Sequence, residues 1–340
     1  MTAADTAPNQ APSPIVDKLP VELYVEVTNR CNSLCPACVR TFRKPEPLRD
    51  VRLDEFEALV DQFPALERVV LHGIGEPLLN PALPAMIGSV KAAHPGVSVL
   101  FNSNATLLDE AWQRALIEAG LDEYRVSIDA ANAADYARFR GIDAFEAVVA
   151  NLRGMAARAL RAGNPRLSFW LTAMRENLDQ LPDLVDLAAD LGVREVYVQR
   201  LVLTRRGMAT GEHSLYGRLH AQQEAALAEA SRRAEAHGLA FRASGLSTPR
   251  ESLGPVARDR PWARCFRMWR STYVTANGNV LPCCISPFST ADYPALILGN
   301  AFQTPFAELW NGERYVARRR ALHTGHPLHP CEGCGTCWSL

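Results

Sequence analysis

A chain of 340 residues can bury a sizeable core and suits one domain plus a smaller module. Its 36 basic and 37 acidic residues balance, which argues against a nucleic-acid track or an anionic membrane surface, and no apolar run approaches the ~18 residues needed to span a bilayer. Nine cysteines are too few for a disulfide scaffold in so long a chain, and the lack of an export signal predicts a reducing, cytoplasmic setting.

In chain order, residues 1–17 begin with a stretch rich in Ala, Pro and Thr and are expected to form a disordered tail. From Val21 to Leu203 short apolar runs alternate with amphipathic stretches, the pattern of β-α units around a parallel sheet. Six strands are predicted: Leu23 to Thr28, Arg68 to His72, Val97 to Asn102, Glu123 to Ile128, Leu167 to Thr172 and Glu195 to Leu201. Between them, apolar residues recur at spacings of three and four, as in Leu53, Phe56, Leu59, Val60 and Phe63. Six units are fewer than the eight that close a full barrel. The expected fold is therefore α/β, a partial (β/α)6 barrel over residues 18–238 with function at the C-terminal strand ends. Residues 239–264, rich in Gly, Pro and Ser, read as a linker. Residues 265–340 read as a small hairpin-plus-helix module, its hairpin turning at Asn277-Gly278 and its helix running from about Pro305 to His323.

The cysteines cluster at the two ends. Cys31, Cys35 and Cys38 fall within eight residues, six more lie between Cys265 and Cys337, and the 226 residues between Cys38 and Cys265 hold none. Structural cysteines would scatter more evenly, so metal binding leads. The first group follows the first strand as C-x3-C-x2-C. Structural zinc needs four ligands and this spacing supplies three. A cubane iron-sulfur cluster with three thiolates keeps one iron free for something else.

This segment, placed after the first strand of a six-unit β-α barrel, resembles the radical S-adenosylmethionine (SAM) superfamily over residues 21–203. The resemblance implies that the open iron chelates SAM and that reductive cleavage yields a 5′-deoxyadenosyl radical, with a flavodoxin or ferredoxin as external reductant. It also implies cofactor-binding roles elsewhere. Gly73-Ile74-Gly75-Glu76-Pro77 is similar to the motif that receives the SAM amino group, with Glu76 able to accept from an ammonium. Asn104 lies in the asparagine-bearing end of strand three, and Ser127 and Asp129 match the Ser-x-Asp of strand four. Arg140 stands where relatives place a partner for the SAM carboxylate, or is a solvated helix arginine. Gln199 is a candidate contact to ribose or adenine. Ala37 departs from the aromatic often found before the third cysteine, so adenine packing must come from elsewhere.

The C-terminal set reads C-x12-G-x4-C-C followed by Cys331-x2-Cys334-x2-Cys337. It resembles a SPASM or twitch module, shortened toward the twitch form, and similar in spacing to an aminocyclitol dehydrogenase. The resemblance implies an auxiliary 4Fe-4S cluster on Cys265, Cys283, Cys331 and Cys334, leaving Cys284 and Cys337 spare or, for Cys337, in place of Cys334 or in a second, incomplete site. Four thiolates suit zinc equally well. A closed cluster cannot bind SAM, so its role would be electron transfer or support. Electron transfer points to two-electron dehydrogenation of a small polyol or amino-sugar-like molecule. Only some 20 residues precede the first strand, too few for a leader-binding domain, which tilts the expectation toward a small molecule over a peptide. Peptide maturation remains open, as does epimerisation with Cys284 or Cys337 donating hydrogen, and a non-catalytic cluster or zinc protein is the reading from another class.

His72, at the end of strand two, is either a base or a hydrogen-bond partner. His323, His326 and His329 read as surface or packing residues, and the arginines around 158–161, 205–206 and 318–320 as solvated faces or helix-end charges.

Overall fold

The computed structural model describes residues 12–244, 247–254, 262, 265–288 and 292–334. Ten strands form one sheet in the order β10-β9-β8-β1-β2-β3-β4-β5-β6-β7. They are β1 (Glu22–Val25), β2 (Arg68–Val70), β3 (Ser98–Ser103), β4 (Glu123–Ser127), β5 (Arg166–Ala173), β6 (Glu195–Arg200), β7 (Ala240–Ala243), β8 (Ser271–Val274), β9 (Asn279–Leu281) and β10 (Gly299–Asn300). The six predicted strands are all present, in chain order and parallel, as a partial barrel.

Two additions extend the sheet beyond the six units. β7, in the stretch expected to be a linker, pairs parallel with β6. β8, the first strand of the C-terminal hairpin, pairs parallel with β1 and brings the hairpin into the same sheet. The hairpin turns at Gly278, whose φ of 82° lies in the left-handed region that a side chain resists.

Alternation along the strands sorts the two faces. Leu23, Val25 and Val27 on β1 and just beyond it, Val99 and Phe101 on β3, Phe169 and Leu171 on β5, and Val196 and Val198 on β6 join the main core against the helices. Those helices include α2 (Leu53–Val60), α3 (Leu83–Ala93), α4 (Glu110–Glu118), α6 (Phe145–Ala162) and α7 (Leu181–Asp190), counting α1 as Val39–Phe42 and α5 as Ala133–Arg140. The alternate positions, Tyr24, Arg125, Trp170 and Tyr197, line the opposite, concave face. No helix among the described residues is long and apolar enough to cross a membrane.

Three expectations need correction. The helix predicted over Pro305 to His323 is two, Phe306–Trp310 and Glu313–Leu322, divided at Asn311-Gly312. Residues 12–17 are tethered, because Trp269 Nε1 donates to Ser13 O at 2.7 Å, Arg319 to Pro14 O at 3.0 Å and Asn311 Nδ2 to Val16 O at 2.8 Å. Residues 1–11 of the expected tail lie outside the described residues. Arg318 and Arg319 are buried, not solvated. Arg319 donates to Met268 O at 2.9 Å and Trp310 O at 2.8 Å and lies over the Trp310 ring at 4.1 Å. Burial drops its pKa to about 10. It is a charged rivet that satisfies backbone carbonyls where the chain's two ends meet.

Candidate functional site

Cys31, Cys35 and Cys38 sit on the loop that leaves β1 at its C-terminal end, half-buried and unbridged. Local bonds fix the loop. Cys38 N donates to Cys35 O at 3.0 Å, and Thr41 Oγ1 donates to the same carbonyl at 2.8 Å. Asn104 Nδ2 reaches Asn32 Oδ1 at 2.8 Å and Ser33 Oγ at 3.0 Å, while Asn32 donates to Thr106 Oγ1 at 2.8 Å. Burial raises all three thiols, and Cys35, where the neighbouring thiols add to it, rises to about 11. Three thiols on one short loop, held up in pKa, suit a metal site, where binding a cation would drive the protons off. With three donors on one loop, the donor set fits a cubane cluster with one corner left open.

Around this loop the strand ends supply a polar rim. The Glu76 carboxylate, 3 % exposed, accepts from Ser103 Oγ at 2.7 Å, Leu78 N at 3.1 Å and Asn104 N at 2.7 Å. In this arrangement it braces the β2 loop against the end of β3, and little of it faces outward. The two motif glycines are required by packing on β1. A Cβ at Gly75 would lie 2.0 Å from Thr28 O, and one at Gly73 2.3 Å from Glu26 Oε2. Arg140, at the end of α5, donates to Asp129 Oδ2 at 2.8 Å, and its carbonyl receives the Cys35 thiol at 3.2 Å. It is therefore beside the cysteine loop and not a solvated helix arginine. Its Nε is buried without a partner, an orphaned donor suited to an anion. Ser127 and Gln199 are half-buried on the concave face, near no other predicted cofactor contact by hydrogen bond.

Deeper in the concave face lies a layer of which the sequence singled out His72 alone. Tyr24 and His72 meet with ring centroids 6.1 Å apart. Trp170 and Tyr197 stack at 4.0 Å, and the Arg125 guanidinium lies 4.2 Å over Trp170, held from behind by Glu123 at 2.9 Å. Burial, with the nearby Arg125 charge, depresses His72 to about 4, so it is a neutral imidazole at pH 7. Glu26 completes this region, accepting from Ile74 N at 2.8 Å and Tyr273 Oη at 3.1 Å. Burial, with the Glu46 carboxylate nearby, pushes it up to about 7. The readable signal was inward alternation, since Tyr24 and Glu26, Arg125, Trp170 and Tyr197 stand at every second position of their strands.

Below this layer, where β8 begins and β9 ends, Cys265, Cys283, Cys331 and Cys334 line one pocket with Arg267, Met268, Pro282, Ile285 and Pro330. The four expected ligands are thus brought together from three chain segments. The donor set and the apolar walls fit a closed, shielded cluster. Cys284 is not among the lining residues. It packs instead, as Tyr24 does, against the cluster of Tyr273, Leu281, Tyr293 and Leu296, and Arg267 reaches its sulfur at 3.6 Å. Cys337 lies outside the described residues. His329 pairs with Glu332 at 2.7 Å and His323 with Pro12 O at 3.1 Å, consistent with surface and packing roles.

Known proteins share this arrangement over most of the chain. The radical SAM superfamily model matches residues 25–188, and the SPASM model, an iron-sulfur cluster-binding domain, matches residues 265–338. The chain is 27 % identical to a PqqA peptide cyclase of Streptomyces rochei, over 93 % of this chain and 81 % of that one. It is 28 % identical to a pre-heme d1 synthase of Dinoroseobacter shibae, over 94 % and 79 %. The fold resembles Streptococcus suis SuiB bound to precursor peptide SuiA, with a TM-score of 0.68 at 15 % identity, over 89 % of this chain and 67 % of that one.

Proposed function

This chain is a radical SAM enzyme with a SPASM module, its cofactors SAM, a SAM-binding 4Fe-4S cluster and auxiliary iron-sulfur, and we propose that it oxidises a substrate held on the concave face between the two cysteine sites. The observation that carries this reading is the placement of three thiols at the C-terminal strand ends and four at the opposite end of the same face. When bound, SAM and its cluster supply a 5′-deoxyadenosyl radical that takes a hydrogen atom from substrate.

The chain's residues do the rest. Cys31, Cys35 and Cys38 hold the first cluster and leave one corner open for SAM. Arg140, with its buried unpartnered Nε, meets the SAM carboxylate while Asp129 fixes the guanidinium. Asn104 orients the cysteine loop, and backbone groups around Gly73 and Gly75 face the amino group, with Glu76 as their brace. Ser127 and Gln199 stand on the wall toward the nucleoside. Cys265, Cys283, Cys331 and Cys334 would hold the auxiliary cluster, which would supply an acceptor for the second electron of the oxidation. Loss of one hydrogen atom, one electron and one proton makes the net reaction a two-electron oxidation.

For the substrate, the stacked Trp170 and Tyr197 with Arg125 above them favour a planar or aromatic portion over a bare polyol. That agrees with relatives named for a peptide and for a heme precursor, and we take a peptide-borne aromatic side chain as the leading class. A second reading, epimerisation, rests on Cys284, which packs against Tyr273 and Leu281 and is not among the residues lining the four-thiol pocket. Anaerobic reconstitution with dithionite and SAM tests the core of the proposal by formation of 5′-deoxyadenosine, and none would refute it. A product two hydrogens lighter than substrate supports oxidation, whereas an equal-mass product carrying solvent deuterium supports epimerisation.

A further inference from the structure

Arginines across the C-terminal module find oxygen partners. Arg319 donates to Met268 O and Trp310 O, Arg318 to Ala295 O at 2.6 Å and Arg314 to Ile297 O at 2.6 Å, while Arg270 pairs with Glu67 at 2.8 Å. Arg267, the first residue of the short helix Arg267–Arg270 that leads into β8, does not. It is half-buried in the wall of the four-thiol pocket, and among the described residues its side chain donates only to the Cys284 sulfur, at 3.6 Å. No described carboxylate pairs with it. The ionisable groups that weigh most on it are thiols, Cys284 first, then Cys283 and Cys265, and after them Tyr24 of the concave face. A guanidinium keeps its charge in a protein whatever its neighbours. A cation without a carboxylate, set into a wall of thiols, therefore takes its counter-charge from whatever those thiols hold.

We infer that Arg267 tunes the auxiliary site as an electron acceptor, its guanidinium favouring the reduced form of the cluster on Cys265, Cys283, Cys331 and Cys334. The inference deepens the proposed function and rests on its reading of this pocket. A closed cluster on four thiolates is an anion, and accepting an electron makes it more negative. A fixed cation in the wall therefore stabilises the reduced form more than the oxidised one, and an N–H directed at sulfur acts in the same direction. Met268, Pro282, Ile285 and Pro330 crowd the same wall with apolar surface, which limits screening of that charge. Cys284, which does not line the pocket, anchors the guanidinium. In the step itself the substrate radical loses one electron, the cluster gains it and the substrate's proton leaves to solvent, with no bond to iron made or broken.

The test is a potentiometric titration of the cluster-loaded full chain, followed by electron paramagnetic resonance, in wild type, Arg267→Met, Arg267→Gln and Arg267→Lys. The same titration of a Cys31/Cys35/Cys38 triple-alanine variant shows which wave belongs to the C-terminal pocket, and iron and sulfide are counted in every sample. Arg267→Met keeps much of the apolar stem and removes the charge, and Arg267→Gln keeps a donor without the charge. Both are expected to make the auxiliary cluster about tenfold harder to reduce, a midpoint lower by about 59 mV for one electron, with the N-terminal midpoint unchanged. Arg267→Lys should keep most of the wild-type value. A merely structural role would leave the potential of a fully loaded cluster where it was. Equal auxiliary midpoints in wild type and the neutral variants overturn the inference, as does a fall in Arg267→Lys as large as in Arg267→Met. So do an equal fall in both clusters' midpoints, failure of both neutral variants to hold their iron, or a wild-type C-terminal pocket without iron. If wild type makes no 5′-deoxyadenosine, the functional reading fails while the midpoints still decide the role of Arg267.

Discussion

Cys31, Cys35 and Cys38 come from eight consecutive residues, whereas the C-terminal thiols are gathered from Cys265 before β8, Cys283 after β9, and Cys331 with Cys334 beyond the last helix. A short loop can be fixed by a few local hydrogen bonds and left open at the mouth of the barrel. A site collected over 70 residues of chain has to close long loops, so its ligands converge only once the module has folded around them. The first region can therefore lose its metal and keep its shape, while in the second metal binding and folding are coupled. The openness of one suits a substrate-like cofactor, and the apolar closure of the other suits an electron acceptor.

This contrast can be broken by substitution, and the largest effect falls on chemistry. Cys35→Ala is expected to reduce 5′-deoxyadenosine formation to background while leaving the thermal midpoint nearly unchanged, read by chromatography and by calorimetric melting. Cys283→Ala should do the reverse. SAM cleavage persists and substrate oxidation stops, while the C-terminal segment becomes sensitive to limited proteolysis and the midpoint falls. If both variants melt alike, the two regions do not differ as described. Arg140→Ala leaves the buried Asp129 carboxylate without its partner and should cost about 3 kcal/mol in denaturant unfolding, together with weaker SAM binding. Gly75→Ala forces a methyl onto the Thr28 carbonyl and should cost about 2 kcal/mol.

The remaining effect is a pH slope. Glu26 titrates near 7 when folded and near the ordinary carboxylate value of 4.5 when unfolded. The folded state therefore binds more protons between about pH 4.5 and 7, and the Glu26 contribution to stability falls as pH rises through that window. His72 works oppositely. Folded at about 4 against 6.5 unfolded, its contribution falls as pH drops from 6.5 toward 4. The difference in unfolding free energy between wild type and Glu26→Gln isolates the first slope, and a flat difference from pH 4.5 to 7 would contradict the buried carboxylate.

Much of this was legible in the sequence because it is local. The six strands announced themselves through short apolar runs, and C-x3-C-x2-C named its own chemistry. What was not legible is long-range. The parallel pairing of β8 with β1 depends on a partner some 250 residues away in the chain, and nothing in Ser271–Val274 states it. Arg318 and Arg319 look like surface charges until Met268, Trp310 and His329 are seen to offer carbonyls. The Trp170 and Tyr197 stack requires knowing that β5 and β6 are in register at those two residues. The motif suggests Glu76 as a SAM contact, and only the positions of Ser103 and Asn104 show that its carboxylate also braces the β2 loop against β3.

The central claim is that one chain carries two separate metal sites of different construction. Counting iron and sulfide per chain in the wild type and in a Cys31/Cys35/Cys38 triple-alanine variant, both reconstituted anaerobically, tests it most directly. The account predicts that the variant loses one cluster's complement, about half the metal if both are cubanes, and retains the rest in the C-terminal pocket. Loss of all the iron, or of none, would contradict it.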